Sequence, residues 1–163
     1  MFYLDIFKAL EDHKVRYLLV GGLAMNLHGV PRMTMDIDLV IALDTKNLEK
    51  FIDAAANLQL LPVLPVAISD LLDSGKRDHW ARDRNMVAFA LRPPQTNGPT
   101  VDILIDPPID IGIAFDRAEY RDLGSTMAVL ASIEDMILLK QETGRAQDKA
   151  DIEHLRRLRE EKI

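Results

Sequence analysis

The sequence predicts an α/β (α+β) domain: a short mixed β-sheet with flanking helices and a C-terminal helical pair. Three observations carry this. A strand-like run from Val15 to Val20 ends in Gly21-Gly22 and a short helical stretch. Further strand-like runs, Asp36 to Ala42 and Val101 to Ile105, lie between segments whose apolar residues recur at helical spacing. Residues 132–161 read as two helices parted by a glycine.

The elements follow in order. Phe2, Ile6 and Leu10 mark an opening amphipathic helix to about Asp12. Val15 to Val20 is a buried strand, and Leu23 to His28 a short helix stopped by Gly29 and Pro31. After the strand Asp36 to Ala42, Asp44 or Thr45 caps a helix with the stripe Leu48, Phe51, Ile52, Ala55 and Leu58. Pro62 and Pro65 break the next stretch, and Ile68 to Leu72 forms a brief helix.

Ser74 to Asn85 reads as a polar, basic connection holding Lys76, Arg77, Arg82, Arg84 and Trp80. Met86 to Leu91 and Val101 to Ile105 form an antiparallel pair across the turn cluster Pro93-Pro94-Gln95-Thr96-Asn97-Gly98-Pro99. Short strands are expected after Pro107-Pro108. Ser132, with Asp135 three residues on, opens a helix to Thr143, and a last helix runs from about Gln147 to Glu160.

A chain of 163 residues is expected to form a single domain over residues 1–163, with the sheet in about 15–106 and the terminal helices in about 132–161. With 48% apolar and 28% charged residues it is a globular composition rather than a disordered one. The net charge of −6 gives no global pull toward nucleic acid. Without cysteine there are no disulfides and no thiolate metal sites, and His13, His28, His79 and His154 lack ligand spacing. No segment reaches the roughly 18 apolar residues of a membrane span. The N-terminal stretch, interrupted by Asp5 and Lys8, lacks a signal layout, so a soluble, cytoplasmic protein is expected.

The chemistry concentrates in residues 17–41. In a strand, positions i and i+2 share a face, so Asp36 and Asp38 project together. Two adjacent like charges call for a cation between them, and hard oxygen ligands favour Mg²⁺ or Mn²⁺. Gly21 and Gly22 suit a strand-to-helix turn where backbone N–H groups approach a phosphate. Asp102, isolated in an apolar strand, is costly there without a partner, and Asp106 is the fallback. Arg32, near Thr34 in the loop before Asp36, suits either a phosphate contact or an ion pair that locks the loop. Trp80 reads either as a base-stacking residue or as the anchor of a surface loop.

Val20-Gly21-Gly22 followed by Asp36-Ile37-Asp38-Leu39 resembles the signature of the nucleotidyltransferase superfamily, the polymerase-β-like fold. Gly29-Val30-Pro31-Arg32, Thr34 and the acidic pair resemble the branch containing the AbiE-type toxins. The segment Ser132 to Lys140 with Gly144-Arg145 and Asp148 to Asp151 resembles that branch's helical part.

The resemblance implies an enzyme that moves a nucleoside monophosphate from an NTP, such as ATP, to an acceptor hydroxyl with Mg²⁺ (or Mn²⁺). It implies Asp36, Asp38 and Asp102 as metal ligands and catalytic residues. Gly21, Gly22, Arg32, Thr34, Lys140, Arg145 and Asp148 would lie at the nucleotide, with Asp148 orienting Lys140. The branch implies tRNA as acceptor and a cognate antitoxin protein as partner. A small-molecule acceptor, as in the antibiotic adenylyltransferases, and a non-catalytic nucleotide-binding module are the alternatives.

Overall fold

A computed structural model describes residues 2–83, 87–94, 98–141 and 144–161. Helix α1 spans Phe2–Asp12 and buries Ile6, Phe7 and Leu10. Strand β1, Tyr17–Val20, is buried at every position and passes directly into α2, Gly21–His28. Strand β2 is Ile37–Ile41, so Asp36 stands one residue outside it. Helix α3, Thr45–Asn57, is capped by Asp44, whose carboxylate accepts from the Asn47 N–H at 3.1 Å. Of its expected stripe, Leu48, Phe51 and Ala55 are buried, while Ile52 and Leu58 are half-buried.

Strand β3, Leu61–Pro62, comes next, then a short 3-10 helix at Ile68–Leu72. Proline is tolerated in β3 because an edge strand has no neighbour needing the missing N–H. Segment Ser74–Asp83 is helix α4, not the expected connection. With Trp80 as its one buried residue it shows no apolar period. Trp80 packs on Phe89 with ring centroids 5.3 Å apart, and that tertiary contact anchors the helix. Base stacking by Trp80 is thereby excluded: the ring belongs to the core.

Strands β4, Ala88–Arg92, and β5, Val101–Leu104, pair antiparallel as expected. The region after Pro108 first adds a helix, α5, Ile111–Asp116, before β6, Glu119–Asp122, and β7, Met127–Leu130. The sheet therefore extends past residue 106. Helix α6, Ile133–Gln141, opens with the expected reciprocal cap. The Asp135 N–H donates to Ser132 Oγ at 3.1 Å and that hydroxyl donates back to Asp135 Oδ2 at 2.9 Å. Arg117 also pairs with Asp135. Helix α7 is Ala146–Glu161. Arg84, Asn85, Met86, Gln95-Thr96-Asn97 and Thr143, which carried sequence expectations, lie outside the described residues.

Among the described residues, seven strands form one mixed sheet in the order β3-β4-β5-β2-β1-β7-β6. β2 lies antiparallel to β1 and parallel to β5, so the centre of the sheet joins three segments distant in sequence. One sheet face presents Ile37, Leu39, Ile103, Phe89 and Leu91, all buried. Each such side chain contributes about 1.5–3 kcal/mol by leaving water, which makes this layer a firm base for the opposite face. Among the described residues no helix is long and apolar enough to cross a membrane.

Candidate active site

The register of three strands assembles the acidic residues. Asp38 pairs with Val20 of β1 on one side and with Asp102 of β5 on the other, so the two aspartates stand level on adjacent parallel strands. Asp36 sits at the mouth of β2. Its Oδ1 accepts from Thr100 Oγ1 at 3.0 Å and from the Thr100 N–H at 3.4 Å. Asp106 is exposed beyond β5 and does not share this row.

The two glycines make room for the same groups. Gly21 has φ +73, and a Cβ there would lie 2.1 Å from Asp38 Oδ2. A Cβ on Gly22 would lie 2.8 Å from Thr34 Oγ1. Among the described residues no side chain caps the start of α2. The first N–H groups of that helix are thus left for another partner, and they carry the positive end of its dipole.

Burial, first, and then the charges of Asp102 and Asp36 push the Asp38 carboxyl up to about 6, with Lys140 acting against the rise. Asp102 is raised too, by burial first; Thr100 opposes this and Asp36 adds to it. Asp102 Oδ1 is buried with no hydrogen-bond partner among the described residues. Repelling carboxylates with an orphaned oxygen fit a divalent cation. Among the described residues no three acidic or histidine groups already stand at metal-binding distances.

Opposite the acids lies a network that the sequence only partly foretold. Arg32 pairs with Asp151, so of its two readings the structure has the ion pair that locks the loop. Lys140 Nζ lies 2.9 Å from Asp151 Oδ2 and 3.9 Å from Asp148 Oδ1. Asp151, rather than Asp148, is the nearer partner of Lys140. Asp148 is held by Arg145, with Nε at 2.7 Å. Gln147 Nε2 donates to the second Asp151 oxygen at 3.0 Å.

Burial pushes the Asp151 carboxyl up, but its hydrogen bonds from Lys140 and Gln147 and the charges of Lys140 and Arg32 outweigh it. The group is held below the ordinary carboxylate range. Asp151 was not among the expected site residues. Its signal was the spacing Asp148, Asp151, Ile152, Leu155, the pattern of one buried face of α7.

Between the carboxylates and α6 lies a cleft of ≈ 210 Å³. Gly21, Asp38, Lys140, Arg145 and Asp148 supply its polar lining, and Val87, Leu104, Met136 and Leu139 its apolar wall. Helix N–H groups, a cation and acids meeting beside an apolar wall suit a nucleotide: phosphates at one end, base at the other. Gly21, Asp38, Lys140, Arg145 and Asp148 are brought together here. Arg32 and Thr34 belong to the supporting loop. His28 is buried outside the cleft, its Nε2 2.8 Å from the Ala131 carbonyl oxygen.

A family model described as the nucleotidyl transferase AbiEii toxin of type IV toxin–antitoxin systems matches residues 5–155. Among solved structures, the lincosamide antibiotic adenylyltransferase LnuA, lincomycin-bound, superposes with a TM-score of 0.60 at 18% identity over 96% of this chain and 94% of that one. A Thermotoga maritima protein assigned to the nucleotidyltransferases gives 0.58 at 17% identity, over 98% and 91%. An antigenic nucleotidyltransferase-like protein from Paracoccidioides brasiliensis gives 0.54 at 19%, over 96% and 73%. A comparison with curated protein sequences finds no match.

Proposed function

The chain belongs to the AbiEii nucleotidyl transferase toxin family, and from that premise we propose that it transfers a nucleoside monophosphate from an NTP to the terminal hydroxyl of an RNA such as tRNA. The transfer would be the toxic activity of a toxin–antitoxin pair, restrained by a cognate antitoxin protein. The observation that carries the reaction is the level pairing of Asp38 with Asp102 on parallel strands, with Asp36 at the mouth of the same row.

These three carboxylates would hold Mg²⁺ or Mn²⁺, which when bound neutralises charge developing on the phosphates. The acceptor hydroxyl oxygen forms its bond to the α-phosphorus as the bond to the bridging oxygen breaks, and pyrophosphate leaves. Asp102, raised by burial, takes the hydroxyl proton. Lys140 and the uncapped start of α2 face the triphosphate, and Asp151 holds Lys140 in place. Arg32, pinned to the same carboxylate, fixes the loop that carries Thr34 and Asp36.

The test is label transfer from each α-labelled NTP, with Mg²⁺, to RNA, protein and small-molecule fractions, beside the Asp36→Ala/Asp38→Ala double variant. Transfer to RNA by the wild type alone supports the reading; equal transfer by the double variant sinks it. A second reading, a small-molecule adenylyltransferase, draws support from the near-complete mutual coverage with LnuA. Label confined to the small-molecule fraction would favour it. Metal-dependent NTP binding without transfer would favour a binding module.

A further inference from the structure

Among the described residues, the face carrying Asp38 and Asp102 differs at its two ends along the strands. At the Leu104 and Ala88 end, beyond Asp38, α6 and α7 supply Lys140, Met136 and Asp148 to the cleft. At the other end, toward Thr100 and the edge strand β3, Arg92, Leu61 and Val63 are exposed. Register decides which residues share the face. Ala90 stands opposite Asp102, and the alternate residues Phe89 and Leu91 are buried on the other face.

One step further, Arg92 follows the pair Leu91 and Val101, level with Thr100, whose hydroxyl holds Asp36. Arg92 pairs across to Leu61 of the edge strand. It is exposed, and among the described residues its side chain makes no hydrogen bond or ion pair. Leu61 is 57% exposed and Val63 51%.

Such a surface is unlike a small-molecule seat, which encloses its ligand. It suits an extended chain: exposed apolar side chains meet base faces, and an unpaired arginine meets a backbone phosphate. Neighbouring strands lie about 4.8 Å apart, so Arg92 stands two spacings, roughly 10 Å, from Asp36. One nucleotide and the arginine side chain together span that gap. The chain's net charge of −6 makes a local, unneutralised cation matter more for holding a polyanion.

Resting on the nucleotidyl-transfer reading above, we propose that this open shelf seats the 3′ end of a single-stranded RNA acceptor, with Arg92 on its backbone phosphate and Leu61 and Val63 under its bases. The terminal hydroxyl then reaches Asp102 from the Thr100 end of β5, while the NTP occupies the cleft at the Leu104 end, against α6. Acceptor and donor approach from opposite sides of the carboxylate row.

The test uses unfractionated tRNA as the acceptor probe, α-labelled NTPs with Mg²⁺, and the wild type beside Arg92→Glu and Arg92→Lys. Arg92→Glu is expected to raise the KM for tRNA at least about tenfold, and Arg92→Lys by no more than about threefold. The salt slope of tRNA binding should fall by about one for Arg92→Glu, with NTP affinity unchanged. Arg92 is exposed and unpaired among the described residues, so both variants should melt with the wild type.

If the wild type labels tRNA and Arg92→Glu matches it in KM and salt slope, the shelf is overturned and the transferase reading stands. If the wild type labels only protein or small molecules, the RNA acceptor and the shelf both fall. If nothing is labelled, tRNA binding by anisotropy still decides: equal affinity of wild type and Arg92→Glu overturns the shelf.

Discussion

The Asp38 carboxylate stands where a side chain on Gly21 would begin, 2.1 Å from the position of its Cβ. The glycine thus does more than turn the chain: it lets the first helix after β1 press against an acidic side chain of β2. Gly21→Ala must either displace Asp38 or move the start of α2, at a φ of +73 that alanine rarely adopts. An ångström of misplacement costs about 100-fold in rate. Nucleotidyl transfer by Gly21→Ala should fall at least that far, read as kcat/KM on a folded sample. Undiminished transfer would show that Asp38 is not held where the reaction needs it.

The raised Asp38 carboxyl makes stability depend on pH in a defined direction. It keeps its proton to about pH 6 in the folded chain, against an ordinary value of 3.8. Between these values the folded state binds the extra proton, so this group's contribution falls as pH rises. The loss across the window is on the order of 2–3 kcal/mol. The stability of wild type relative to Asp38→Asn should decline over that range and flatten above it. Mg²⁺ should raise the melting temperature of the wild type at pH 7 and not that of Asp36→Ala/Asp38→Ala. A difference flat with pH would remove the argument for a repelling carboxylate row.

Asp151 is buried and holds two cations, Arg32 and Lys140. Removing it takes the nearest carboxylate from both, and breaking a buried pair from one side costs about 3–5 kcal/mol. Urea unfolding of Asp151→Ala should show a loss near the lower end, since Arg32 retains 28% side-chain exposure. Lys140→Met should lose less stability, because Asp151 keeps Arg32 and Gln147, yet should lose more transfer activity per folded molecule. Stability of Asp151→Ala within about 0.5 kcal/mol of wild type, the scatter of ordinary surface changes, would contradict the pairing.

Trp80 packs on Phe89 in the core. Trp80→Ala should cost about 3–5 kcal/mol in unfolding free energy, with transfer per folded molecule unchanged. A selective loss of acceptor KM with wild-type stability would return Trp80 to a substrate-facing role.

Several of these relationships were legible before folding. The period-2 placement of Asp36 and Asp38 after the glycines depends only on local backbone geometry. An isolated carboxylate in the apolar run 101–105 announces itself by its cost. The Ser132 and Asp135 cap is likewise local, formed within a single helical turn. Helix α4 was hidden because its stability comes from one tryptophan meeting a strand, not from any period in its own residues. Helix α5, residues 111–116, is too short to show a period, whereas short strands such as β6 and β7 were expected after Pro107-Pro108.

The sequence by itself determined which groups are present and which near neighbours share a face: the glycine turn, the paired acids, the capped helices and the apolar strands. Only the tertiary structure decided how distant residues meet. Strand register, not spacing, brought Asp102 level with Asp38. Packing of α7 carried Asp151 to Arg32, 119 residues away, and set it nearer to Lys140 than Asp148 is. Such pairings are set by burial and charge neutralisation across the whole fold, and neither is written in any one stretch of chain.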